Sequence, residues 1–240
     1  MTRKIIIDTD PGQDDAVAIL IALASNELDV IGITCVAGNV PLPLTGTNAR
    51  KILELSGEVD IPVFLGADKP LVRTLITAEH AHGKTGLDGP ELPEPKINYQ
   101  EMTAIDFIIE SVQNSESKTI TLCPLGPLTN IALAFRKCPD IIHEIREIVL
   151  MGGGFFEGGN VTPSAEFNVF VDPHAAAEVI NSGVPIVMLP LDVTHEVITS
   201  PDVIQRLKSL NNYPAQVTAE MLGFYERFNG EKYGYEGAPL

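Results

Sequence analysis

Short runs of aliphatic, often β-branched residues recur along this chain, each followed by a stretch with helical periodicity. That alternation restricts the fold more than any other feature. Strands are predicted over residues 4–7, 30–36, 62–65, 119–123, 147–151 and 185–189. Helices are predicted over about residues 14–24, 45–55, 102–113, 128–136 and 173–182. The strand segments are apolar almost throughout, as strands covered on both faces by helices must be, whereas a half-solvated antiparallel sheet would alternate. The expected class is α/β: an open, mostly parallel, doubly wound sheet flanked by helices. No internal repeat, low-complexity tract or linker divides it, so residues 1–240 are expected to form a single domain.

Such a sheet concentrates its chemistry outside the carboxyl ends of its strands. The residues at those positions are Asp8 through Asp15, Ala37-Gly38-Asn39, Pro124-Leu125-Gly126-Pro127, Gly152-Gly153-Gly154 and Asp192. Acidic, amide and glycine residues thus converge on one edge. Two segments lack regular periodicity: residues 73–95, which carry Glu79-His80-Ala81-His82-Gly83, and residues 152–168, which are glycine-rich. Long irregular loops in an otherwise regular domain are commonly functional. The Lys84-Thr85 pair lacks the glycine spacing of a phosphate loop.

Charge removes several function classes. Sixteen Lys and Arg stand against 32 Asp and Glu, a formal net charge of −16, which repels a nucleic-acid backbone or an anionic membrane surface. No apolar run reaches the roughly 20 residues that span a bilayer, and the N-terminus enters the first strand without a signal-peptide pattern. The three cysteines, Cys35, Cys123 and Cys138, are an odd number in apolar or helical contexts, as expected of free thiols in a reducing compartment. The expected location is cytoplasmic.

Asp8, Asp10, Asp14 and Asp15 crowd the turn after the first strand. Two like charges ~4 Å apart repel by roughly 4 kcal/mol at an effective dielectric of 20, a cost that a divalent cation reverses. The competing reading gives Asp14 and Asp15 to the helix N-terminus and Asp8 and Asp10 to turn hydrogen bonds. Four carboxylates at the carboxyl edge of the first strand favour a metal. Oxygen-only donors point to Ca²⁺ or Mg²⁺ rather than zinc. The spacing is not that of an EF-hand, because Gln13 and Ile19 fall where that loop needs glycine and glutamate.

The run Asp8-Thr9-Asp10-Pro11-Gly12-Gln13-Asp14-Asp15-Ala16 closely resembles the N-terminal signature of the inosine-uridine nucleoside hydrolases. Val36-Ala37-Gly38-Asn39, His82-Gly83, Leu125-Gly126-Pro127-Leu128-Thr129-Asn130, Val149-Leu150-Met151-Gly152-Gly153 and Ser164-Ala165-Glu166-Phe167-Asn168 resemble further motifs of that family, in the family's order. The resemblance implies Ca²⁺-dependent hydrolysis of the N-glycosidic bond of ribonucleosides to ribose and free base. It makes Asp10 and Asp15 carboxylate ligands, with the Leu125 carbonyl as another, and Asp10 the general base. It gives Asp14, Asn39, Asn160, Glu166 and Asn168 to the ribose, packs Met151 against the sugar, and places His82 at the base. Glu166 and Asn168 are expected on one side of an extended segment. Asp192 reads as a helix-entry turn, and His80 as a solvated neighbour of His82.

Purine-preferring branches of the family stack the base between tryptophans, and this chain has none. Phe224, Tyr225, Phe228, Tyr233 and Tyr235 can line a base pocket, although Phe224 and Phe228, at i and i+4, equally suit a core. The expected substrates are uridine, cytidine and inosine, in that order. The family forms homodimers or homotetramers. Its members continue beyond the position of Leu240 with a His-Asp pair, in which the Asp is a calcium ligand and the His sits by the leaving base. On that resemblance this chain is expected to bind calcium more weakly, to turn over more slowly or not at all, and to expose apolar surface. Two rival readings follow from the residues: a Mg²⁺-dependent phosphohydrolase built on the Asp-x-Asp turn, and a non-catalytic relative that binds calcium and nucleoside.

Overall fold

The computed structural model describes residues 2–234 and 237–240. Along the chain run β1 (Arg3–Thr9), α1 (Gln13–Ala24), β2 (Leu28–Cys35), α2 (Leu42–Ser56), β3 (Val63–Leu65), α3 (Glu79–His82), α4 (Ala104–Gln113), β4 (Ile120–Pro124) and α5 (Thr129–Lys137). A 3-10 turn at Pro139–His143 leads into β5 (Glu147–Met151), α6 (Phe167–Val171), α7 (Pro173–Ile180), β6 (Ile186–Leu189) and α8 (Leu191–Thr194). The last elements are β7 (Ile198–Thr199), α9 (Pro201–Ser209), α10 (Tyr213–Tyr233) and β8 (Ala238–Pro239).

Six strands pair in parallel in the order β3-β2-β1-β4-β5-β6, as the apolar strand segments predicted. The two-residue strands β7 and β8 pair antiparallel outside this sheet. Strand side chains alternate between two helical layers. Ile6 packs with α4, α5 and α7 residues such as Ile108, Ile131 and Val179. Ile5 and Ile7 face the opposite layer, among Ile19 of α1, Ile52 of α2 and Met221 of α10. Among the described residues, no helix is long and apolar enough to cross a membrane.

The order reverses direction between β1 and β4, which splays the connections leaving those two strands and opens a crevice at their carboxyl ends. The acidic turn follows β1 and Leu125 follows β4, so both stretches meet at this switch point. The Leu125 N–H donates to Asp8 O at 2.7 Å, which fixes their relation.

The predicted elements are found within a few residues of their expected ends, and among the described residues five α-helices are additional, one of them the four-residue α8. Both α3 and α6 are single-turn helices inside the loops read as irregular, too short for a periodicity to register. The helices α9 and α10 lie in the last third of the chain. Polar residues and Gly223 interrupt the apolar pattern of α10, although its N-cap Asn212 accepts from the Ala215 N–H at 2.9 Å and Pro214 occupies its first turn.

Asn130, in the first turn of α5, ties the carboxyl edge together. Its Oδ1 accepts from the Ala67 N–H at 2.8 Å, and its Nδ2 donates to Asp8 Oδ1 at 2.7 Å and to Cys35 O at 3.1 Å. The side chain is fully buried, so its removal leaves the Ala67 N–H without a partner and takes one of two hydrogen bonds each from Asp8 Oδ1, which keeps Thr34, and from Cys35 O, which keeps the Gly66 N–H. Asn130→Ala is expected to destabilise the protein by ~2–4 kcal/mol, seen as a fall in Tm of roughly 5–15 °C by calorimetry.

Candidate functional site

Asp10, one residue beyond β1, is buried at 1% exposure. Its Oδ2 accepts from the Asn39 N–H at 2.6 Å, while Oδ1 is buried without a hydrogen-bond partner. Two glycines make room for this carboxylate: a Cβ at Gly38 would stand 2.0 Å from Oδ2, and one at Gly126 would stand 2.2 Å from Oδ1. Asp15 lies in the first turn of α1. Its Oδ1 accepts from Thr9 Oγ1 at 2.7 Å, and its Oδ2 accepts from the Gly12 N–H at 2.9 Å. Asn39 bridges the two acids, because its Nδ2 donates to Asp10 O at 3.0 Å and to Asp15 Oδ2 at 3.4 Å. Asp14 Oδ1 accepts from the Asp15 N–H at 3.1 Å. The helix-terminus role of Asp14 and Asp15 is therefore present in the structure, alongside the crowding that suggested a cation.

Electrostatics set this cluster apart. Burial, followed by the charge of Asp15, holds the Asp10 carboxyl well above its ordinary value. Burial and then Asp14 push Asp15 up to about 7, and burial pushes Asp8 up to about 7 against the lowering hydrogen bonds from Asn130 and Thr34. Asp8 is no turn residue, since its Oδ1 accepts from Thr34 Oγ1 at 2.5 Å and its Oδ2 is a second buried oxygen without a partner.

Partnerless buried carboxylate oxygen beside a second acid is the donor chemistry of a hard divalent cation. Among the described residues no group of three His, Cys, Asp or Glu side chains is arranged to hold one. Asp10 and Asp15 are the side chains that fit, and the remaining ligands must come from backbone oxygen, water or a bound molecule. The Leu125 carbonyl accepts from Asn168 Nδ2 at 2.7 Å and retains a second lone pair.

On the other side of the crevice, Asn168 joins two strands. Its Nδ2 also reaches Met151 O at 3.2 Å and Met151 Sδ at 3.4 Å, which ties the ends of β4 and β5 together. Glu166 is 3% exposed, and burial pushes its carboxyl up. Its placement corrects the extended segment expected here. Glu166 is the N-cap of α6, accepting from the Asn168 N–H at 2.8 Å and the Val169 N–H at 3.2 Å, and the backbone turns helical at Phe167. The carboxylate also accepts from the Gly153 N–H at 3.0 Å, which pins the glycine-rich loop. Asn160 lies half-buried in that loop, six residues before Glu166.

His82 closes α3. Its ring is buried against Gly12 and stacks on Tyr225 of α10 at 5.3 Å between centroids. His80 is exposed, as expected of a neighbour, with its ring edge-on to Phe228 at 5.9 Å. Thus α10 brings Tyr225 to the site histidine. The side chain of Tyr233, and Tyr235 altogether, lie outside the described residues.

Sequence reasoning gave no role to Asn130, Gln13, Asp172 or Asn48, all buried polar residues that hold the site's scaffold. Asp172 Oδ2 accepts from Thr129 Oγ1 and from the Leu71 N–H, each at 2.8 Å. Asn48 Nδ2 donates to Pro11 O at 3.1 Å and to Thr85 O at 2.8 Å. The one available signal was at Asp172, whose position before Pro173 suits an N-cap; its side chain accepts from the Ala175 N–H at 3.0 Å.

Several known proteins are similar to this chain. A family model described as inosine-uridine preferring nucleoside hydrolase matches residues 5–240. An uncharacterized protein of Schizosaccharomyces pombe is 52% identical over 237 residues, 99% of this chain and 76% of its own. A pyrimidine-specific ribonucleoside hydrolase of Photobacterium profundum is 48% identical, covering 100% of this chain and 77% of its own. Among solved structures, a plant nucleoside hydrolase superposes with a TM-score of 0.93 at 35% identity, over 100% of this chain and 76% of its own. A purine-preferring ribonucleoside hydrolase from Gardnerella vaginalis does so with a TM-score of 0.93 at 35% identity, over 98% and 76%.

The doubly wound sheet with buried acids at its switch point is shared with these hydrolases, and the chain belongs to the inosine-uridine preferring nucleoside hydrolase family. Its chemistry is hydrolysis of the N-glycosidic bond of ribonucleosides. The phosphohydrolase reading gives way to it.

Asp192 supplies a prediction. It sits in the first turn of α8, as the helix-entry reading had it, but its carboxylate points to the glycine-rich loop. There it accepts from the Phe155, Phe156 and Glu157 N–H groups at 2.8, 2.7 and 3.3 Å. Asp192→Ala is expected to leave the global Tm within ~2 °C while hydrogen exchange in the 155–157 backbone accelerates at least ~10-fold.

Proposed function

We propose that this chain hydrolyses pyrimidine ribonucleosides, uridine ahead of cytidine and inosine, with one Ca²⁺ held by Asp10, Asp15 and the Leu125 carbonyl. The observation that carries the reading is the Asp10 carboxylate: one oxygen is fixed by the Asn39 N–H and the other is buried without a partner. Bound calcium would supply positive charge that polarises water and orients ribose hydroxyls. Mixed carboxylate, carbonyl, water and hydroxyl donors suit its flexible shell.

In this reading Asp10 removes the proton from the attacking water. The Asn39 N–H fixes Oδ2 of this carboxylate and leaves Oδ1 without a partner, so the group is held in one orientation toward the crevice. Attack at an anomeric carbon of oxocarbenium character profits from every hydroxyl held in place. Asp14, Asn39, Asn160, Glu166 and Asn168 are the proposed ribose contacts, with Met151 against the sugar. Glu166 and Asn168 arrive with several of their polar atoms already bonded to backbone, so their positions are rigid before substrate binds. His82, walled by Tyr225, is the proposed base-side residue.

Support for a pyrimidine preference comes from the 48% identity to a pyrimidine-specific relative, against 35% to a purine-preferring structure, and from the absence of tryptophan.

Release of reducing sugar from uridine, cytidine and inosine in calcium buffer tests the reading. Asp10→Asn is expected to lower kcat/KM by ~10³-fold or more with the circular dichroism spectrum unchanged. Equal cleavage by Asp10→Asn and the parent would refute it.

Calcium has a readout independent of turnover. Asp8, Asp10 and Asp15 all bind protons more tightly in the folded protein than when unfolded. The stability they contribute is therefore present at low pH and is lost as pH rises from about 4 through about 7. In chelator, Tm is expected to fall over that interval. Added Ca²⁺ should restore it, with a gain that grows with pH because the cation competes with protons for the same oxygens. An identical melting curve with and without Ca²⁺ at about pH 8 would remove the metal from the proposal.

A further inference from the structure

Gln13 and His82 stand on different elements, and one buried amide joins them. Gln13 Nε2 donates to His82 O at 3.0 Å and to Asp88 O at 3.1 Å. Turned over, the amide would present its own oxygen to both carbonyls, with no proton between any of the three acceptors. The backbone of the 82–88 loop thereby dictates which way the amide faces. Gln13 Oε1 is left for the third contact, His82 Nδ1 at 2.7 Å. An amide oxygen can only accept, so the proton in that bond resides on Nδ1. The neutral ring then carries its lone pair on Nε2, to which no described residue is hydrogen-bonded.

We propose that Gln13 is a positioning residue for His82, locking the imidazole in the Nδ1–H tautomer so that Nε2 meets the substrate as a hydrogen-bond acceptor. The ligand chemistry that fits is a donor. Uracil and hypoxanthine carry a ring N–H on their pairing edge and cytosine carries an amino group there, whereas a base methylated at that donor has nothing to offer. This inference rests on the reading of His82 as a base-side residue. Burial of the ring supports it, since the charged imidazolium, which would donate from both nitrogens, is disfavoured there. The contact is also built for stiffness. Gln13 is fully buried at the start of α1, a Cβ at Gly12 would stand 2.5 Å from Nδ1, and Tyr225 stacks on the ring.

The deciding measurement is the ¹⁵N spectrum of the imidazoles in the full chain at neutral pH. His82 is assigned among the five histidines by the signal that His82→Asn removes. The expected pattern is a protonated Nδ1 and an unprotonated Nε2, the reverse of the tautomer that free imidazole side chains prefer in water. In Gln13→Met, similar in length but unable to hold the ring proton, the His82 pattern is expected to move toward Nε2–H. KM for uridine is expected to rise ~10-fold, by more than kcat falls. A merely structural Gln13 would lower Tm and leave the tautomer alone.

An Nε2–H signal in the parent protein would overturn the proposal, as would an unchanged His82 pattern in Gln13→Met. Should that variant not fold, the parent spectrum still decides. Failure of the parent protein to release ribose from any nucleoside would defeat the substrate reading, while the tautomer would stand or fall on the spectrum alone.

Discussion

The desolvation of carboxylates at the carboxyl end of β1 is the constraint around which the rest of this structure is arranged. Asp8, Asp10 and Asp15 are almost wholly withdrawn from water. A buried acid is tolerable only when hydrogen-bonded, protonated or matched by positive charge. The protein supplies the hydrogen bonds from every neighbouring element: Thr34 on β2, Asn39 beyond it, Asn130 on α5, and Thr9 and the Gly12 amide from the turn itself. What it does not supply is a cation. Among the described residues, no lysine or arginine is hydrogen-bonded to these acids, and two of their oxygens have no partner. Such a site suits the divalent cation of the proposed function.

Position in the sheet explains why this burial falls where it does. Between β1 and β4 the order of strands reverses, and the connections leaving them diverge. Backbone and side chains from the ends of β1, β2, β4 and β5 therefore reach one crevice without crossing. Amides do most of the joining. Asn39, Asn130 and Asn168 each span two or more strand ends, because a short side chain with both donor and acceptor can satisfy several buried backbone groups at once. The same economy holds for Gln13, whose amide serves two carbonyls and a histidine.

The loops over the crevice are organised by acids in a different role. Glu166, Asp192 and Asp88 accept from runs of backbone N–H groups and give order to segments that have little regular structure. At Asp192 these bonds hold the carboxyl below its ordinary range, and at Asp88 the Thr85 hydroxyl and then the backbone N–H groups do so against partial burial. For Glu166 burial outweighs them. Acids that look alike in the sequence thus divide between charge that is stabilised and charge that is opposed.

The alternation of apolar runs with helical periodicity settled the α/β class and the parallel sheet, because strands covered on both faces must be apolar throughout and helices on a sheet need one apolar stripe. The acidic run after the first strand marked Asp10 and Asp15, since four carboxylates in eight positions are costly unless used, while Asn39, Glu166 and Asn168 were marked by the resemblance of their motifs to the nucleoside hydrolases. Tertiary structure alone decided how those residues act together. Burial cannot be seen from spacing, so neither the raised proton affinity of Asp8 nor its difference from Asp192 was legible. Single-turn helices such as α6 show no periodicity, so the N-cap role of Glu166 required the fold. The bonds from Gln13 to His82 and from Asn130 to Asp8 join residues 69 and 122 positions apart. Contacts of that separation exist only once the sheet has brought its strand ends together.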